Sequence, residues 1–173
     1  MRALKVSRAG KPPGRGRKEC IMKLGDYLEE KGIAFQSFEH PPAYTAQEVA
    51  AEEHVSGNLV AKTVVVHADG EYALCALPAC YKLDMDKVAK ALNAKTVRLA
   101  NEGEMAELFP DVEVGAEPPM GQLWNLPTIV DRHLAEDEEI VFQAGTHRHA
   151  IRMRYADYEA LTKPKVADLA VHL

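Results

Sequence analysis

Residues 58–77, NLVAKTVVVHADGEYALCAL, constrain the fold of this chain more than any other stretch. Two runs of β-branched and apolar residues flank Asp69-Gly70, a pair that tolerates positive φ at both central positions of a two-residue hairpin turn. The spacing predicts antiparallel strands over residues 58–67 and 71–77. Lys62 is the anomaly within them, because period-2 geometry puts it on the face of Val60, Val64 and Val66, where the core should lie. Either its ammonium snorkels to solvent at the strand end, leaving the stem on apolar surface, or it stands in a cleft. There a compact positive charge suits a phosphate or a developing oxyanion.

The rest of the chain supplies short elements to pack on this hairpin. Leu24, Tyr27 and Leu28 at i, i+3, i+4 predict a helix over residues 23–31, stopped by Gly32. Residues 33–38 alternate as a strand, which His40-Pro41-Pro42 ends. Thr45-Ala46-Gln47-Glu48 is a capping box opening a helix over residues 46–53. Asp84 caps a helix over Met85–Leu92, residues 96–99 read as a strand, and Asn101 with Glu104 opens a helix reaching Phe109. Further strands are expected at residues 128–130, Glu139–Gln143 and residues 149–153, and a closing helix at residues 157–162. No βαβ repeat is visible. The expected fold is therefore α/β of the α+β kind: a mixed, curved, barrel-like sheet surrounded by short helices.

At 173 residues the chain has room for one core without disulfides or metals, and residues 23–173 are expected to form a single domain. Cys20, Cys75 and Cys80 are odd in number and form no CxxC pair, which argues against a disulfide framework or a cysteine zinc site and favours a reducing, cytoplasmic setting. No apolar run approaches the ~20 residues of a membrane span. The net charge of −5 is uneven: residues 1–22 hold seven Lys/Arg and one acid, +6, leaving −11 for the remainder. A body so acidic does not hold long nucleic acid or DNA by bulk electrostatics, so any nucleic acid must be gripped locally. The Gly- and Pro-bearing stretch 1–22 reads as a flexible basic leader. It is either an extension preceding a start at Met22 or an arm that tethers RNA by charge. Between Asn101 and Gln143, eleven Asp/Glu face only Arg132, a pattern that reads as a solvated face.

Three further groups of residues carry candidate chemistry. The loop Val114-Gly115-Ala116-Glu117-Pro118-Pro119-Met120-Gly121 joins glycines, which permit close backbone approach, to prolines, which remove freedom. Such a loop presents backbone groups to a ligand at little entropic cost, or is a plain rigid turn. Gly145-Thr146-His147 offers a turn, a hydroxyl and an imidazole, and the spacing of His147 and His149 suits one strand face, a weak metal signal that places no third ligand. His40, Tyr44 and Thr45 cluster before the capped helix, with Thr45 a cap, a ligand contact or both. Trp124 and Asn125 are a lid or surface filler. No GxGxxG, P-loop or HExxH occurs, and no cofactor is expected.

Taken in order, HPPAYTAQEVA from His40, VAKTVVV from Val60, VGAEPPMG from Val114 and AGTHRHAIRM from Ala144 resemble the YbaK/prolyl-tRNA synthetase-associated editing-domain family, over roughly residues 23–162. The resemblance implies a barrel-like mixed sheet with surrounding helices and hydrolysis of an amino acid from mischarged tRNA. The partners it implies are the tRNA 3′ acceptor end and, in some arrangements, an aminoacyl-tRNA synthetase. Position by position, Lys62 matches the family lysine that contacts the acceptor end, and Gly115 to Gly121 match the Gly/Pro loop with Gly115, Pro118, Pro119 and Gly121. Gly145-Thr146 matches the Gly-Ser/Thr turn, and His147 a histidine of some alanine-directed members. The cysteine-directed branch has an acidic residue near the position of Ala150. On this reading Lys62 holds the terminal phosphate or carbonyl, amides of Gly115 and Gly145 line the oxyanion side, and Thr146 or His147 positions water or the amino group. Two other functions fit the same residues: a non-catalytic binding module, and a His147/His149 metal hydrolase.

Overall fold

In the computed structural model, which describes residues 2–3 and 24–173, the strands are β1 (Arg2–Ala3), β2 (Phe35–Glu39), β3 (Ala61–Ala68), β4 (Glu71–Pro78), β5 (Tyr81–Leu83), β6 (Val97–Leu99), β7 (Thr128–Asp131), β8 (Glu139–Gln143), β9 (His149–Arg154), β10 (Lys165–Ala167) and β11 (Ala170–His172). The helices are α1 (Leu24–Glu30), α2 (Ala46–Glu52), α3 (Met85–Leu92), α4 (Glu102–Leu108), α5 (Arg132–Ala135) and α6 (Tyr155–Thr162). Apart from β1, the basic leader, with Cys20 and Met22, lies outside the described residues.

Local chemistry explains most of these boundaries. The turn between β3 and β4 has φ of 47° at Asp69 and 90° at Gly70, the positive pair that a two-residue hairpin demands. It sets the register at Ala68 opposite Glu71 and Lys62 opposite Leu77. The Asp69 carboxylate then accepts from the amides of Lys95 and Thr96, both at 2.9 Å, and so anchors the start of β6 to the turn. Thr45 and Glu48 close their capping box at α2, as do Asn101 and Glu104 at α4, and Asp84 caps α3.

The pairing is mixed. One sheet has the order β1-β2-β9-β8, a second β10-β7-β4-β3-β6, and a third β11-β5. In the second, β4 pairs antiparallel with β3 and parallel with β7. From Ala73 to Pro78 every residue of β4 is buried, as expected of a central strand covered on both faces. Leu74 packs with Val65 and Phe109 on one side, and Cys75 with Val88, Ile129 and Leu169 on the other. The largest apolar cluster fills the space between the two larger sheets and brings Leu24 and Leu28 of α1 together with Phe35, Ile140, Phe142, Met153 and Tyr158. The mixed, curved α/β architecture is the one expected, with one difference: the strands do not close into a barrel. The two larger sheets meet at a single parallel bridge, Val60 to Val141, and part beyond it. No helix among the described residues is long and apolar enough to cross a membrane.

Candidate functional site

The parting of the sheets creates the site. On the side of β3 away from β4, β6 pairs only with Val66 to Ala68, and the Val60–Val141 bridge marks the other end. The strand edge between them opens into a cleft of about 360 Å³ lined by Val60 to Val64, Tyr44 to Gln47, Ala79, Gly115, Glu117, Gln143 and Leu173. That volume lies at the lower end of the ~300–1,000 Å³ typical of small-ligand sites. Continuing the parallel direction from Val60 and Val141, two residues on, gives Lys62 and Gln143, and both line the cleft.

Lys62 is half-buried in this cleft. Its Nζ donates to Ala79 O at a long 3.4 Å, so most of its donor capacity is unused among the described residues. Burial lowers its pKa, with the Cys80 thiol acting weakly in the opposite sense. Of the expected binding residues, Tyr44, Thr45 and Gly115 share the cleft with it. Thr45 also caps α2, accepting from Glu48 N at 3.1 Å, so capping and lining coexist.

The segment from His40 to Thr45 reaches the cleft because the turn after β8 holds it there. His40 N donates to Arg148 O at 2.9 Å and Ala43 N to His147 O at 2.8 Å, while Gln143 Nε2 donates to Ala43 O at 3.0 Å. The His147 ring packs against Tyr44 at 4.8 Å between centroids. Its Nε2 donates to Val114 O at 2.9 Å, which leaves Nδ1 buried and without a hydrogen-bond partner among the described residues. His147 thus supports the wall that Tyr44 presents and does not itself line the cleft.

Several expected residues are placed differently from their sequence reading. His40 is buried, its Nδ1 donating to Pro41 O at 2.7 Å. Thr146 Oγ1 is 2.6 Å from His149 Nδ1 and accepts from Arg148 N. His147 and His149 therefore have separate partners, and His147 sits in the turn, not on a strand face. The amides expected to line an oxyanion side are already occupied: Gly145 N donates to Ala116 O at 2.9 Å and Gly115 N to Glu117 Oε1 at 3.0 Å. Both glycines have φ above 90°, so their role here is to turn the backbone. Pro118 and Pro119 are buried and do not line the cleft, and Pro119 O accepts from the buried Tyr158 hydroxyl at 2.6 Å. Gly121 serves packing: a Cβ there would collide with Leu126 O and stand 2.6 Å from Thr128 Oγ1. Trp124 is no lid, since it packs edge-on against Phe109 and donates to Asp111.

Among the cleft residues that sequence reasoning missed are Glu117, Gln143 and Thr63. Each contributes a buried oxygen with no hydrogen-bond partner among the described residues: Glu117 Oε2, Gln143 Oε1 and Thr63 Oγ1. Glu117, only 3% exposed, contradicts the solvated-face reading of the acidic run, as does the fully buried Asp131, which holds His133 and the Leu169 amide. The signal available was the setting of Glu117 in a rigid Gly-x-Glu-Pro-Pro loop.

A family model described as the aminoacyl-tRNA editing domain matches residues 40–161. Among solved structures, a putative trans-editing enzyme for prolyl tRNA synthetase is 25% identical, covering 92% of this chain and 99% of that one, with a TM-score of 0.77. A hypothetical protein at 24% identity covers 87% of this chain and 100% of its own, with a TM-score of 0.79. A scaffold from epitope backbone grafting by computational design is 26% identical, covering 84% and 93%, with a TM-score of 0.74.

Proposed function

Because the chain belongs to the aminoacyl-tRNA editing domain family, we propose that it is a deacylase that hydrolyses the ester of a mischarged aminoacyl-tRNA in the cleft around Lys62. The observation that carries this reading is the half-buried Lys62 ammonium, which makes one long hydrogen bond among the described residues and lines a cleft built mostly from the matched residues. An acceptor end is gripped locally there, in keeping with a body whose net charge repels long RNA.

The chemistry asks for positioning more than for a nucleophile. An aminoacyl ester is already reactive, so holding it beside water and stabilising the developing oxyanion lowers the barrier by several kcal/mol. Lys62 supplies the charge to the terminal phosphate or to the ester carbonyl, and the neighbouring ribose hydroxyl of the tRNA orients the water. Gly115, with φ of 91°, and the Gly145 turn shape the walls, and the His147 ring holds Tyr44 over the mouth. Covalent catalysis by Cys75 finds no support: burial pushes its thiol up to about 12, which keeps it protonated at neutral pH.

The test is release of amino acid from a panel of mischarged tRNAs charged with alanine, serine or cysteine, with Lys62→Ala as the control. Lys62-dependent turnover of one species establishes the deacylase and names its substrate. Tight binding of charged tRNA without turnover of any species would replace it with a non-catalytic binding module. Turnover abolished by a chelator and restored by zinc would replace it with a metal hydrolase.

A further inference from the structure

Glu117 is the cleft residue that the deacylase reading leaves without a task. Its backbone is fixed from both ends: Pro118-Pro119 stiffen the chain after it, Ala116 N donates to Glu113 O, and Gly145 N donates to Ala116 O. One carboxyl oxygen, Oε1, is occupied by the Gly115 amide at 3.0 Å. The other, Oε2, is buried and has no hydrogen-bond partner among the described residues, and Glu117 is one of the residues lining the cleft. A carboxyl oxygen in that position is costly unless something polar or cationic meets it. Burial, opposed by its own backbone amide and that of Gly115 and more weakly by His147, raises its pKa. Among the described residues no ion pair joins it to Lys62. The cleft therefore holds one cationic and one acidic group that do not neutralise each other.

A ligand that satisfies both must carry an electron-rich oxygen and a cation within a small volume. The aminoacyl ester does: its carbonyl and the adjoining phosphate suit Lys62, and its α-ammonium stands two bonds from that carbonyl. We propose that the Glu117 carboxylate is the subsite for the α-amino group of the ester-linked amino acid, so that the cleft selects aminoacyl groups with a free amine. This rests on the deacylase reading for its ligand, and it adds a substrate-binding residue and a selectivity to it. A charge-assisted contact of this kind is worth about 10- to 100-fold in affinity.

The experiment is calorimetric binding at pH 6.5 of two non-hydrolysable 3′-amide analogues of aminoacyl-adenosine: one bearing an alanyl group and one a propionyl group, which lacks only the amine. Wild-type protein is expected to bind the alanyl analogue about 10- to 100-fold more tightly, and Glu117→Gln to reduce that preference to less than about threefold while binding the propionyl analogue as wild type does. Lys62→Met is expected to weaken both analogues alike. Equal binding of the two analogues by wild-type protein overturns the proposal without any variant, and so does a Glu117→Gln protein that keeps the full preference. Binding with the expected preference but no turnover of any mischarged tRNA sinks the deacylase reading and leaves the amine subsite standing.

Discussion

Replacing Lys62 with methionine separates the ligand-directed role of the lysine from any part it plays in the fold. The two side chains are of similar length, so the apolar stem packing is kept and the charge is lost. Its only side-chain hydrogen bond among the described residues is the 3.4 Å contact to Ala79 O, a geometry beyond the usual N–H···O range and worth little. Burial lowers its pKa, which means the charged form is penalised in the fold. For a base with a depressed folded pKa, that penalty is present below the folded pKa and fades as pH rises through it. Lys62→Met should therefore leave stability at pH 7 unchanged or raise it by up to ~1 kcal/mol, with the gain shrinking towards alkaline pH. Activity should move the other way. Loss of a preorganised donor to a developing oxyanion costs ~2.7–4 kcal/mol in enclosed sites. The open side of this cleft reduces that to ~2–3 kcal/mol, a fall of about 30- to 150-fold in kcat/KM. Single-turnover release of amino acid from the mischarged tRNA identified by the panel, run beside urea denaturation, measures both. Retention of kcat/KM within about threefold, or a stability loss above ~2 kcal/mol, would refute the reasoning.

Gly121→Ala should cost at least ~3 kcal/mol in chemical denaturation, since its Cβ would meet the backbone at Leu126 O, besides standing 2.6 Å from the Thr128 side-chain Oγ1, and rigid backbone cannot yield as a flexible side chain would. Glu53 is 5% exposed, and burial raises its carboxyl to about 7. The folded state therefore keeps a proton that the unfolded chain loses near pH ~4.3, and stability falls as pH rises between those values. Glu53→Gln should raise stability by ~1–2 kcal/mol at pH 8 and by little at pH 4, and an equal gain at both would contradict the burial argument.

The match to the editing-domain family agrees with the resemblance read from the four ordered motifs. Most of the local structure was equally legible. Met85–Leu92 and Glu139–Gln143 fall where expected, because caps and periodicity act within a few residues. The strands β5, β10 and β11, three residues each, and the single-turn helix α5 escaped, because β5 and β11 exist through pairing with each other, β10 through pairing with β7, and α5 through packing remote in sequence.

The anomaly of Lys62 was visible from strand alternation alone, and so were the turns at Asp69-Gly70 and the capping boxes. All of these depend on chain neighbours, which the sequence states directly. Tertiary structure alone decided where the cleft opens, since that depends on two sheets touching at Val60–Val141 and then diverging. It also decided which acidic residue is buried. The same carboxylate chemistry is solvated at exposed Glu113 and enclosed at Glu117, because burial is set by chain segments remote in sequence. The Gly145 and Gly115 amides, free in any reading of the motif, are taken up by Ala116 O and Glu117. A sequence names the donors and acceptors, but only the packed chain determines which of them remain for a ligand.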